Sequence, residues 1–240
     1  MERAVKYDVI FFDVDDTLMD FDLSEKNALD KAFREFGWPE GMTDYEAAYR
    51  EINKGLWREL EQGGITLAEL GVERFKRLFA AHELSGDAEA FNRLYLANLG
   101  QEVHLLPGAV DVCSRLADCR LAIITNGFAE VQTSRIRLSP LQDAFEQIII
   151  SQEAGFQKPD QRIFDYAFSR LALTDKKKVL MVGDSLTSDI QGGHNYGIDT
   201  CWYNPHGKEN HLGITPTYEI RDLTNLLGVV GSSVEKIIHI

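Results

Sequence analysis

Positive charge is scarce in this chain. Its 240 residues hold 25 lysines and arginines against 38 aspartates and glutamates, a formal charge of −13. That balance argues against broad electrostatic binding to a nucleic acid polymer or an anionic membrane, although an acidic protein can still carry a local basic pocket. An anionic substrate would need local help from a metal or a placed lysine. Cysteine is scarce too: Cys113, Cys119 and Cys201 are an odd number without zinc-site spacing, which speaks against a disulfide framework and fits reduced thiols in the cytosol. Long apolar runs are missing. The N-terminal MERAVKYDVIFFD holds an apolar stretch far too short to span a bilayer and shows no signal-peptide cleavage pattern, so a soluble, cytoplasmic protein is expected. Internal repeats and low-complexity segments are absent as well. What is present is 44% hydrophobic residues, enough to bury a sizeable core as one large domain or a domain with a big insertion.

Four short apolar runs each lead into polar, chemically capable residues: DVIFFDVDD (8–16), LAIITNG (121–127), QIIISQE (147–153) and KVLMVGDS (178–185). They are continuous rather than alternating, so they read as parallel strands buried on both faces. A fifth strand is expected at TCWYN, 200–204. Helical stripes lie between them: Ala109, Cys113, Leu116 and Ala117, then Ile163, Phe164, Ala167, Phe168 and Leu171. Strand alternating with helix predicts an α/β fold, a Rossmann-like doubly wound parallel sheet with right-handed crossovers.

The first strand is separated from the second by a segment of different character. Asp22 with Glu25, Thr43 with Glu46, and Thr66 with Glu69 each have the form of a capping box at a helix start. Gly37, Gly63–Gly64 and Gly100 stand where helices would end, and stripes such as Leu29/Phe33/Phe36 and Phe75/Leu78/Phe79 mark apolar faces. The expected organisation is a core of residues 1–17 and 101–240 with an inserted α-helical cap at 18–100.

In an open parallel sheet, ligands bind beyond the carboxyl ends of the strands. That rule gathers Asp13 and Asp15 after the first strand, Thr125 and Asn126 after the second, Lys158 from the loop after the third, and Asp184 and Asp189 after the fourth. Clustered carboxylates repel and raise one another's pKa unless a cation neutralises them. All-oxygen ligation suits a hard divalent ion, and Mg²⁺ is expected. With Mg²⁺ and Lys158 supplying positive charge, the site suits a phosphoryl group held by Thr125 Oγ1 and the Asn126 N–H. A carboxylate can itself be the nucleophile. Asp15 can reach the leaving group only if the strand has begun to loop, because i and i+2 in a strand are offset by about 6.6 Å.

DVDDT at 13–17, Thr125 after an apolar strand, the Lys158–Pro159 pair and GDSLTSD at 183–189 resemble, in order and context, the four motifs of the haloacid dehalogenase superfamily. The resemblance covers residues 7–204, with no motif position missing. It implies a phosphatase with Asp13 as nucleophile, Asp15 as general acid and then base, Thr125 as phosphate ligand and Lys158 as charge stabiliser. The implied metal ligands are the Asp13 side chain, the Asp15 carbonyl and Asp184, with Asp189 holding the metal's water shell or Lys158. NKGLWRELEQGGIT (53–66), PGAVDVCSRL (107–116), IITNGF (123–128), KPDQRIFDYA (158–167) and GIDTCWYNPHG (197–207) look similar to the superfamily's cytosolic pyrimidine-type 5′-nucleotidases, which carry a helical cap after the first motif. This implies a small phosphorylated metabolite as partner, a nucleoside monophosphate, and a monomer or homodimer. Ser139 departs from the glycine usual in that group, in a loop away from the chemistry.

Each motif also has a plainer reading. An Asp-rich strand end can form an Asx-turn, GDSLTSD can cap a helix, and Lys158 can be an exposed loop lysine. Their ordered co-occurrence favours catalysis. In the cap, Lys54 and Trp57 at i and i+3 offer contacts to a base or ribose, though an indole there is more often bundle core. Phe21 could stack on a base or pack under the cap; His194 and His206 receive no role. The alternatives are a phosphatase or phosphomutase acting on sugar phosphates, a haloacid dehalogenase, and a phospho-acceptor receiver module. Asp15 and the GDSLTSD acids argue against the dehalogenase, and the long helical insertion argues against the receiver. The tail after Leu227 lies beyond the resemblance.

Overall fold

The computed structural model describes residues 6–38 and 41–231, without the side chains of 41–44. The end of the C-terminal tail, 232–240, lies outside the described residues. In chain order the first elements are β1 (Val9–Phe12), α1 (Phe21–Glu35), α2 (Gly41–Glu61), α3 (Leu67–Ala81), α4 (Ala88–Leu99), α5 (Ala109–Arg115), β2 (Arg120–Thr125) and α6 (Ala129–Leu138). They are followed by β3 (Gln147–Ile150), α7 (Ser151–Ala154), α8 (Gln161–Arg170), β4 (Val179–Gly183), α9 (Gln191–Tyr196), β5 (Asp199–Tyr203), β6 (Tyr218–Ile220) and α10 (Leu226–Gly231). No described helix is long and apolar enough to cross a membrane.

The chain forms two compact units. One contains the described residues up to Asp20, Leu105–Asn126, and those from Ser139 onward. Its six-stranded sheet runs β3-β2-β1-β4-β5-β6, and every neighbouring pair is parallel. β1 and β4 are buried along their whole length, which is why their sequences are apolar without alternation. On one face Val9, Phe11, Ala122, Ile124 and Ile149 pack with Ile163, Phe164, Ala167 and Phe168 of α8, and the rings of Phe11 and Phe168 meet edge-on at 6.1 Å. β6 has no counterpart in the sequence reading.

The second unit comprises the described residues of Phe21–His104 together with Gly127–Leu138. It therefore holds α1 to α4 and also α6, which the sequence reading left with the core. Thr66 and Glu69 form the reciprocal capping box of α3, and Asp87 caps α4 through the N–H groups of Glu89 and Ala90. Two expected caps are different. α1 starts at Phe21, so Asp22 lies inside its first turn, and α2 starts at Gly41, so Thr43 lies inside its own; the Thr43 side chain is outside the described residues. The bundle core is aromatic: Phe91 has Phe75 at 4.7 Å, tilted, and Phe33 at 5.0 Å, edge to face, and such ring pairs add to the stabilisation from the area each ring buries.

Candidate active site

The strand order winds outward from β1 through β2 to β3 on one side and from β4 through β5 on the other, so the reversal falls between β1 and β4. The crevice beyond the carboxyl ends of such strands is where doubly wound sheets bind ligands. Asp13 follows β1 directly, and its N–H still donates to the Val182 carbonyl at 2.9 Å. The chain then turns sharply: the Val14 carbonyl accepts from the N–H groups of Thr17, Leu18 and Met19, and Asp16 adopts φ 58°. Asp15 thus stands on a turn instead of a strand, and the fixed strand offset from Asp13 no longer applies.

Lys158 is 1% exposed and its ammonium is fully engaged. Nζ donates to Asp13 Oδ1 at 2.7 Å, to Asp189 Oδ1 at 2.7 Å and to the Ile124 carbonyl at 2.6 Å, which uses all three of its protons. The Asn126 side chain holds the Lys158 main chain, donating from Nδ2 to its carbonyl and accepting its N–H on Oδ1, both at 2.9 Å. Asp189 uses its other oxygen, Oδ2, to accept the Ser185 N–H at 3.0 Å. Both of its oxygens are therefore bonded within the protein.

Asp184 has the opposite surroundings. Its N–H donates to Thr17 Oγ1 at 3.1 Å and its carbonyl accepts from Trp202 Nε1 at 2.8 Å, while no described residue donates to its carboxylate. Burial, followed by the charges of Asp189, Asp13 and Asp16, holds that carboxyl well above the ordinary range. Burial also pushes Asp13 up to about 7; Lys158 opposes the rise and Asp189 and Asp15 add to it. Burial disfavours charge on Lys158, but Asp13 and Asp189 outweigh it and hold the ammonium protonated.

Oxygens of Asp13, Asp184 and Asp189 all lie within 4.8 Å of one another. Asp13 and Asp189 share the Lys158 ammonium, and the Asp184 carboxylate lacks a donor among the described residues. This all-oxygen, anionic set fits a hard divalent cation of the Mg²⁺ type.

The structure thus brings Asp13, Lys158, Asp184 and Asp189 together, with Asn126 beside them. Thr125 is fully buried at the end of β2, paired with Ile150. Lys54 and Trp57 belong to α2 of the helical unit. Lys54 is exposed, and Trp57 is half-buried against the Leu56, Leu60 and Leu70 cluster. Sequence reading gave no role to Thr17 or Trp202, nor to the Asn126 side chain. Thr17 carries a signal, being the last residue of DVDDT; the reach of Trp202 to Asp184 carries none.

The family of haloacid dehalogenase-like hydrolases matches residues 7–197. The chain is 40% identical over 237 residues to the pyrimidine 5′-nucleotidase PynA of Streptococcus pneumoniae, covering 96% of this chain and 98% of that one. To the pyrimidine 5′-nucleotidase YjjG of Escherichia coli it is 36% identical over 223 residues, covering 92% and 97%. Among solved structures, the magnesium-bound HAD-hydrolase YfnB of Bacillus subtilis superposes with a TM-score of 0.88 at 40% identity, covering 93% and 98%.

Proposed function

Because the chain belongs to the haloacid dehalogenase-like hydrolases and is a phosphatase of that family, we propose that it hydrolyses nucleoside 5′-monophosphates through an aspartyl phosphate on Asp13, with Mg²⁺ as cofactor. The observation that carries the reaction class is the Lys158 ammonium held between Asp13 and Asp189, with the undonated Asp184 carboxylate in reach. The substrate class rests on the two pyrimidine 5′-nucleotidase relatives, which cover nearly the whole chain.

Asp13, Asp184 and the Asp15 carbonyl would hold the ion. When bound, it supplies the positive charge that lets a phosphoryl group approach clustered carboxylates. Lys158 orients the Asp13 carboxylate through Oδ1 and favours its anionic form for attack on phosphorus. As the Asp13–phosphorus bond forms, the bond to the 5′-oxygen breaks and Asp15 gives that oxygen its proton. Asp15, now a carboxylate, takes a proton from the water that attacks the aspartyl phosphate; orthophosphate leaves and Asp13 is restored. Thr125 Oγ1 and the Asn126 N–H are the candidate donors to the phosphoryl oxygens. Lys54 and Trp57 are candidate nucleoside contacts in the helical unit. Cys113, Cys119 and Cys201, free and buried, support a reducing, cytoplasmic setting.

Phosphate release from a panel of nucleoside monophosphates, sugar phosphates and glycolytic phosphates tests this reading. With Mg²⁺ the nucleoside monophosphates should give the highest kcat/KM; EDTA should abolish turnover and Ca²⁺ should support it poorly. Preference for a sugar phosphate would move the chain to another substrate class, and turnover in chelator would remove the metal.

A further inference from the structure

The acid cluster is short of positive charge for a phosphate ester. Lys158 gives its three protons to Asp13, Asp189 and the Ile124 carbonyl, so none is left for a substrate oxygen while those bonds stand. A second cation stands at the same end of the sheet, in the loop that follows β5, and it belongs to the same compact unit.

Asn204 lies one residue beyond β5 and is 2% exposed. Its N–H donates to the Ile220 carbonyl at 2.8 Å, which extends the pairing of β5 with β6 toward the carboxyl end. Its side chain grips Lys208: Oδ1 accepts the Lys208 N–H at 2.8 Å, and Nδ2 donates to the Lys208 carbonyl at 3.1 Å and to Glu219 Oε1 at 2.8 Å. Asn126, one residue beyond β2, holds the main chain of Lys158 by the same pair of bonds. In both loops a buried or half-buried asparagine at a strand end fixes where a lysine side chain begins.

The two lysines differ at their tips. The Lys158 ammonium is buried and saturated, whereas Lys208 is exposed and its ammonium has no hydrogen-bond or ion-pair partner among the described residues. Its charge still reaches the cluster. Burial and the charges of Asp189, Asp13 and Asp16 raise the Asp184 carboxyl, and Lys208 acts against them. Trp202 of β5 shows how near this end of the strand comes, since its indole N–H donates to the Asp184 carbonyl at 2.8 Å. In a field dominated by carboxylates, one available cation at the rim strongly affects the approach of an anion.

We propose that Lys208 is a substrate-binding residue, whose ammonium pairs with the phosphate of the ester as it enters beside Asp184. It supplies the available positive charge that Lys158, held between two aspartates, does not. The inference rests on the phosphatase reading above and adds the residue that receives the phosphate; the nucleoside plays no part in it.

The test combines phosphate release from uridine 5′-monophosphate and p-nitrophenyl phosphate with calorimetry of Mg²⁺ binding to the substrate-free protein. The wild type is compared with Lys208→Gln, Lys208→Arg and Lys177→Gln. Lys177 is an exposed lysine just before β4, at the amino end of the sheet, so its variant removes the same charge from the opposite edge. A hydrogen bond to a charged group is worth about tenfold or more, so Lys208→Gln should raise KM about tenfold. The rise should be alike for both esters, which present the same phosphate, with kcat little changed, as expected when binding is lost equally from ground and transition states. Mg²⁺ affinity should instead tighten, by about threefold, because a like charge has left the neighbourhood of Asp184. The opposite signs exclude a damaged fold, which would weaken both. Lys208→Arg and Lys177→Gln should stay close to the wild type in both measurements. An unchanged KM in Lys208→Gln overturns the assignment, and so do a weakened Mg²⁺ affinity, a KM rise for the nucleotide alone, or an equal change in Lys177→Gln. A wild type that releases phosphate from neither ester overturns the phosphatase reading first, a result distinct from failure at Lys208 alone.

Discussion

The indole N–H of Trp202 donates to the Asp184 carbonyl at 2.8 Å, on the far side of the residue from the Asp184 N–H held by Thr17 Oγ1 at 3.1 Å. The peptides flanking Asp184 are thereby pinned while its carboxylate stays available for a cation. Trp202→Phe keeps an aromatic ring and removes the donor. Loss of such support around a metal ligand typically weakens binding by 10–100-fold. Mg²⁺ affinity measured by calorimetry should fall by about tenfold while the melting temperature changes little. Unchanged affinity would leave Trp202 as core packing only.

Gly183 is glycine because Asp189 fills the space a side chain would need. A Cβ there would lie 2.1 Å from Asp189 Oδ2 and 2.6 Å from Asp189 Cβ. Asp189 cannot retreat cheaply, since Lys158 and the Ser185 N–H hold its two oxygens. Gly183→Ala should therefore displace the Asp189–Lys158 pair and lower kcat about 100-fold, the scale expected of an ångström-sized misplacement. Near wild-type kcat would show that the pair's position matters little.

Burial raises the carboxyls of Asp13 and Asp184, so the folded, metal-free protein retains protons that the unfolded chain has already released. Between about pH 4 and about pH 7 the unfolded state binds fewer protons, and stability falls as pH rises through that window. A cation reverses this by replacing the protons, and it competes better once they are gone. Thermal melts with Mg²⁺ or EDTA should show a larger Mg²⁺-induced gain at pH 8 than at pH 5.5. An equal or larger gain at pH 5.5 would contradict the proposed ligand set.

Trp57 packs half-buried against Leu56, Leu60 and Leu70. Truncation to alanine should cost about 2 kcal/mol, less than the 3–5 typical of a fully buried tryptophan. A lower melting temperature with equal effects on nucleotide and p-nitrophenyl phosphate turnover is expected from packing alone. A raised KM for the nucleotide alone, at unchanged melting temperature, would instead mark a substrate contact.

The strands were legible where burial on both faces leaves a continuous apolar run, as in VIFF of β1 and VLMVG of β4. β6 was not, because YEI is three residues long and only Ile220 is buried. Asp13 and Asp184 directly follow β1 and β4, and Lys158 and Asp189 lie in the segments after β3 and β4, so the rule for doubly wound sheets groups them. Support around them was hidden, since it depends on reach in space: Trp202 meets Asp184 across 18 residues, and Asn126 grips Lys158 across 32. Glu25 shows the same limit. Three residues after Asp22 it has the form of a capping partner, but its observed partners Tyr49 and Tyr95 lie 24 and 70 residues away on other helices.

On the proposed mechanism Asp13 attacks the phosphorus of a nucleoside monophosphate. Phosphate release from uridine 5′-monophosphate in Mg²⁺, measured side by side for the wild type and Asp13→Asn, decides whether it does. Asparagine keeps the size of the side chain and removes the nucleophile. The wild type should turn the substrate over, and the variant should release no phosphate above background while keeping its fold by circular dichroism. A folded Asp13→Asn protein within tenfold of wild-type kcat would rule Asp13 out as the nucleophile.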